Sequence, residues 1–233
     1  MSRQPPTQQA PPALKVRLRY AKRGAARFTS HRDFGRALER ALRRAEIPMA
    51  YSSGFTPHPR IVYANASPTS AASEAEYVEL GLSEICDPAK VMAALNDVLP
   101  TGFEVLAAAE ARKEPLGELL QASQWRVQLA GSLPGALDGA IRALLAAPEC
   151  NVSRMTKNGM RTFDVRAAIL ALEAVDDETF RLLSLQQAPL VRPDDVVTAL
   201  KNIDETLSGR PLLTRLRQGP LVDGTVTDPL SLD

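Results

Sequence analysis

Two hydrophobic periods alternate along the chain. Leu14, Val16, Leu18 and Tyr20 interleave with Lys15, Arg17 and Arg19, a period of two that predicts a strand with one apolar and one basic face. Ser30, with Asp33 three residues on, forms a capping box. Phe34, Ala37, Leu38, Ala41, Leu42 and Ala45 then recur at helical spacing until Pro48. Residues 49–66 read as an extended segment broken by a loop at 52–59, where Gly54, Pro57 and Pro59 exclude a regular central strand. Glu76 to Leu82 alternates again. Asp87 and Pro88 open a second helix, Gly102 closes it, and Phe103 to Leu106 reads as a short strand.

After a connector at 108–123 the order recurs. Trp125 to Leu129 predicts a strand and Pro134 to Ala147 a helix. Val152 to Ala168 predicts a hairpin turning at Asn158 and Gly159, with a further strand near Ile169 to Val175. Strand Phe180–Leu185, helix Pro193–Ile203 and strand Leu212–Leu216 complete the unit. The fold class expected is α+β: two tandem ferredoxin-like (βαββαβ) units with antiparallel sheets and helices on one face. The first occupies 14–107 and the second 124–216. Residues 1–13 read as a disordered leader and 217–233 as a loose tail.

Composition narrows the class. No run approaches the roughly 18 uncharged apolar residues that a membrane helix needs, and the Gln- and Pro-rich N-terminus has no signal-peptide core. Cys86 and Cys150 are far apart and lack metal spacing, so both read as buried free thiols of a cytoplasmic protein without membrane partners. The net charge of +1 conceals an imbalance: residues 14–64 carry twelve Lys and Arg against three acids, +9, and the remainder sums to −8. Such asymmetry concerns partners rather than fold.

Four groups of residues follow from that charge. Arg32, Arg36, Arg40, Arg43 and Arg44 fall opposite the apolar stripe of the first helix, and Lys15, Arg17 and Arg19 extend the basic surface. Arginine suits phosphate because its planar fork donates two hydrogen bonds together. Against this, Glu39 is spaced to pair with Arg36 and Arg43, and Glu79 and Glu104 to pair across the sheet with the first strand. Gly54, His58 and Arg60 lie in a loop stiffened by Pro57 and Pro59, suited to presenting backbone N–H groups and Arg60 to a phosphate. Arg154, Lys157, Arg161 and Arg166 make the second unit's hairpin basic, and Asp164 with Arg166 reads as a structural pair. His31 and His58, the chain's only histidines, are the sole side chains suited to neutral-pH proton transfer.

The segments FTSHRD (28–33), RALERALRRA (36–45), IPMAYSSGFTPHPR (47–60), SEAEY (73–77) and DVR (164–166) resemble an uncharacterised bacterial family, domain of unknown function 2344. Its members are encoded beside or fused to B12-binding radical SAM proteins, so the resemblance implies a radical SAM partner. It implies no catalytic mechanism. The architecture is also similar to that of the RAMP-like RNA-binding and RNA-processing proteins of CRISPR systems, a likeness of fold alone. Two distant cysteines cannot hold an iron–sulfur cluster, and no P-loop, dinucleotide fingerprint or nucleophile elbow occurs. The expectation is therefore an accessory subunit that binds RNA, tRNA or rRNA being the classes in view, without cofactor and without a reaction of its own. The alternatives are a docking module for a radical SAM enzyme and a metal-independent ribonuclease using His31 and His58.

Overall fold

Alternation at the start of the chain builds β1 (Leu14–Lys22), whose Val16, Leu18 and Tyr20 are buried. Ser30 caps α1 (His31–Arg44), its Oγ accepting the Asp33 N–H at 3.2 Å. The helix ends in paired bonds from Glu46 N–H to the Arg43 carbonyl and from Ile47 N–H to the Leu42 carbonyl. Glu46 there takes the left-handed conformation, φ 53°, that this motif normally gives to glycine. Next come β2 (Ile61–Ala64), β3 (Ala72–Leu82), α2 (Pro88–Asn96) and β4 (Phe103–Glu110). Asp87 caps α2 through the Ala89 N–H.

This computed structural model describes residues 8–156 and 159–231. The chain divides into two units, the first running to Glu118 and taking in the chain from Leu230, the second spanning Leu119–Pro229. In the first unit the strands lie in the order β4-β1-β3-β2, every pair antiparallel. Phe34, Leu38 and Leu42 of α1 and Val91 and Leu95 of α2 close over Leu18, Val78 and Leu80, so both helices cover one sheet face. Burying each such side chain contributes roughly 1.5–3 kcal/mol.

After a short helix, α3 (Leu116–Leu119), the second unit runs through β5 (Ala122–Leu129), α4 (Ala136–Ala146), the hairpin β6 (Asn151–Thr156) and β7 (Gly159–Asp164), then β8 (Ile169–Ala174), β9 (Thr179–Leu185), α5 (Pro193–Ile203) and β10 (Pro211–Gly219). Its sheet runs β10-β5-β9-β8, again antiparallel, with α4 packed on α5 and β8. The fold is mixed α+β and antiparallel throughout its named sheets.

Three features differ from the sequence reading. The hairpin β6–β7 forms a two-stranded sheet of its own, and the optional strand at 169–174 takes its place beside β9. Met155 and Met160, opposite each other in the hairpin, are exposed, and Arg154 of β6 binds Asp195 of α5. Asn158 and Lys157 of its turn lie outside the described residues. The connector carries the end of β4 and α3, with Leu116 and Leu120 buried. The segment read as a loose tail holds the end of β10 and a small hairpin, β11 (Leu221–Val222) with β12 (Thr225–Val226), in which Val226 is buried.

Candidate nucleic-acid interface

The amphipathic spacing of α1 buries Phe34, Leu38 and Leu42, so its arginines point to solvent. Arg32, Arg36, Arg40, Arg43 and Arg44 are all exposed. Arg36 lies 3.9 Å from Asp33 and Arg43 lies 3.4 Å from Glu39. The sequence offered Glu39 to both; the geometry gives it to Arg43. Exposed pairs of this kind contribute about 0–1 kcal/mol and dissociate readily. Arg32, Arg40 and Arg44 make no ion pair among the described residues.

The basic face of β1 is another matter. Arg17 is 2% exposed. Its Nε donates to Glu79 at 2.8 Å, and its Nη2 donates both to the Arg112 carbonyl at 3.3 Å and to the Glu114 carbonyl. Lys15 reaches the same carboxylate at 3.0 Å but stays more than half exposed. Arg19 is half-buried. Burial alone would push the Glu79 pKa up; hydrogen bonds from Arg17 and Lys15 outweigh it and hold the group below the usual carboxylate range. Arg17 thus leaves the candidate surface, because its charge is spent inside the fold. Glu74 and Glu104 similarly close on Arg23. With these three acids folded against it, the +9 of residues 14–64 falls to +6.

The loop after α1 is held by its own bonds. Ser52 N–H donates to the His58 carbonyl at 2.8 Å, His58 N–H donates to Ser52 Oγ at 3.0 Å, and Tyr51 bridges Pro59. Gly54 has φ +133°, which suits only glycine. Arg60 Nε donates to the Tyr51 carbonyl at 3.0 Å. Two clefts meet at this loop. One, about 260 Å³, is lined by Glu39, Leu42, Arg43, Met49, Tyr51 and the stretch 56–59. The other, about 310 Å³, includes Lys15, Arg60, Val62 and Glu79. His58 and Pro59 line both. The sequence pointed to the loop but not to these clefts or to Tyr51, because a single tyrosine carries no periodic signal.

The two histidines are not brought together. His31 opens α1 and meets the edge of Tyr63 at 4.8 Å between ring centres. His58 shares its cleft with Arg43 at the far end of that helix, about 18 Å further along at 1.5 Å per residue. Tyr63 offers no base near neutral pH, since burial, then the Glu39 charge, pushes its pKa up to about 12.

On the second unit's hairpin, Arg154 binds Asp195 and the Leu190 carbonyl and lies 4.8 Å over the Phe163 ring, so it fastens the hairpin to α5. Arg161 is exposed. Asp164 accepts the Cys150 and Arg166 backbone N–H groups at 2.8 and 2.9 Å, while Arg166's guanidinium goes to the Leu145 and Ile169 carbonyls. The pairing read from sequence is thus through backbone, not charge. Cys86 and Cys150 are free and half-buried rather than buried. Among the described residues no three His, Cys, Asp or Glu converge as metal ligands, and no helix is long and apolar enough to cross a membrane.

These features define an α+β protein with a basic helix beside a cleft-bearing loop. Residues 15–193 match the family described as "Uncharacterized protein conserved in bacteria (DUF2344)", and the chain belongs to that family. No curated protein matches it. A chain from the crystal structure of a Cbf5-Nop10-Gar1 complex is similar over 87% of this chain and 48% of that one, about half its length, at 12% identity and a TM-score of 0.42. A crystal structure of an unknown protein from Galdieria sulphuraria is similar over 87% of this chain and 98% of that one, at 14% identity and a TM-score of 0.24.

Proposed function

We propose that this chain is an RNA-binding accessory subunit, built from two ferredoxin-like units and acting beside a radical SAM enzyme. The strand orders β4-β1-β3-β2 and β10-β5-β9-β8 support the architecture, since each is a pair of interleaved split βαβ motifs. The observation that carries RNA binding is the outer face of α1, where Arg32, Arg40 and Arg44 are exposed without ion pairs among the described residues. Arginines at that spacing track a phosphate backbone, and desolvating none of them costs the fold anything. The radical SAM partner rests on the sequence resemblance. Two experiments test the reading. RNA affinity is measured against salt concentration for the wild type and for a variant with the α1 arginines reversed in charge. Co-purification with a B12-binding radical SAM protein tests the partnership; failure of the two to associate would remove that part.

A further inference from the structure

The α1 arginines would hold phosphates, but the neighbouring cleft has a different chemistry. Its walls are mostly apolar: Leu42, Met49, Pro57, Pro59 and the ring of Tyr51. Tyr51 is 42% exposed, and its backbone is held by the bridge to Pro59 and by Arg60 Nε donating to its carbonyl. Glu39 also lines the cleft, and its carboxylate repels phosphate while accepting hydrogen bonds from N–H donors. Arg43 stands at the same wall, 3.4 Å from Glu39. Across the residues His58 and Pro59 that line both clefts, the second presents Arg60 and the exposed Lys15, the latter 3.0 Å from Glu79 in the same lining.

We infer that the Tyr51 cleft takes an unpaired nucleobase, stacked on the tyrosine ring, with phosphates of the same strand on Arg43 and, past His58, on Lys15 and Arg60. This rests on the RNA-binding reading and makes it specific: the ligand is single-stranded at this point, because a base held in a duplex cannot leave its stack without unpairing. Every base has a flat face, so stacking of this kind tolerates sequence. The carboxylate of Glu39 favours bases that present an exocyclic amine or ring N–H.

The test compares three probes of equal length at one low salt concentration: a single-stranded RNA, the same strand with abasic sites, and a duplex. The wild type should bind the base-bearing strand about ten-fold or more tightly than the abasic one, the scale of one stacked base. Tyr51→Ala should abolish that preference while leaving abasic affinity unchanged, and Tyr51→Phe should keep it. A strand carrying 4-thiouridine should crosslink to the 47–60 peptide, a measurement that needs no variant. Equal affinity for base-bearing and abasic strands, or a preference that survives Tyr51→Ala, overturns the cleft assignment and leaves RNA binding standing. Binding of none of the three probes overturns both.

Discussion

Arg17 and Glu79 face each other in register across β1 and β3, the Arg17 Nε donating to the carboxylate at 2.8 Å. Both are almost fully buried, and the guanidinium also ties down the carbonyls of Arg112 and Glu114. Removing one member leaves the other's charge uncompensated, which costs about 3–5 kcal/mol. Glu79→Gln should therefore lower stability by that order in a denaturant titration. The pH dependence has a definite sign. Glu79's folded pKa lies below its ordinary value of 4.5, so its contribution is present above that pH and is lost as pH falls through the folded value. Wild-type stability should drop below about pH 4.5, and the Gln variant should show a shallower drop.

Two positions with positive φ should respond in opposite directions. Gly102, at φ +92°, has no room for a side chain: a Cβ would stand 2.7 Å from the Arg23 carbonyl oxygen. Gly102→Ala should destabilise by more than the 1–2 kcal/mol that the backbone conformation alone costs. Glu46, at φ 53°, occupies the helix-closing position where glycine is preferred. Glu46→Gly should raise stability by up to about 1 kcal/mol. Thermal melts of the two variants check both signs.

The contrast between these positions shows what periodicity can reveal. In the sequence Gly102 reads as the end of α2, but that helix stops at Asn96 with Asp97 as its cap, and Gly102 instead turns the chain into β4; Glu46 gave no mark at all, and only Pro48 two residues later showed where α1 ended. Strands and helices with one buried face were legible throughout, since Val16, Leu18 and Tyr20 or Phe34, Leu38 and Leu42 repeat at the spacing of their elements. Long-range partners were not. The alternation of β1 showed that Lys15, Arg17 and Arg19 share a face, and Glu79 was a candidate partner. Nothing local showed that the segment at 112–114 would cover Arg17 and bury it. The hairpin was likewise legible as two strands and a turn, while its anchoring to α5 through Arg154 and Asp195, forty-one residues later, was not.

That contact makes a prediction of its own. Asp195 serves twice: it accepts the Arg192 N–H at 2.7 Å, completing the cap of α5, and it binds Arg154 of β6. An isolated two-stranded hairpin is marginal in water. Arg154→Ala should loosen β6–β7 without unfolding the unit, seen as faster proteolytic cleavage within 151–164 and faster amide exchange there. Asp195→Ala should do the same and also remove the cap, lowering global stability by about a further 1 kcal/mol. Equal effects of the two substitutions on global stability would show that the cap contributes nothing beyond the hairpin anchor.

The salt dependence of RNA binding separates arginines that contact phosphate from those that build the fold. Each phosphate contact on a single strand adds about 0.7 to the slope of log affinity against log salt. If Arg32, Arg40 and Arg44 each make one, reversing all three to Glu should flatten the slope by about 2, the sum of three such contacts. Arg36 already shares its charge with Asp33, so substituting it should have a smaller effect. Arg17→Met, by contrast, should leave the slope unchanged, because its guanidinium is buried against Glu79 and the Arg112 and Glu114 carbonyls. Fluorescence anisotropy with a labelled single strand across a salt series reads all of these together. An Arg17→Met slope shallower than the wild type, with a triple-reversal slope equal to it, would place the binding surface on the sheet rather than on α1.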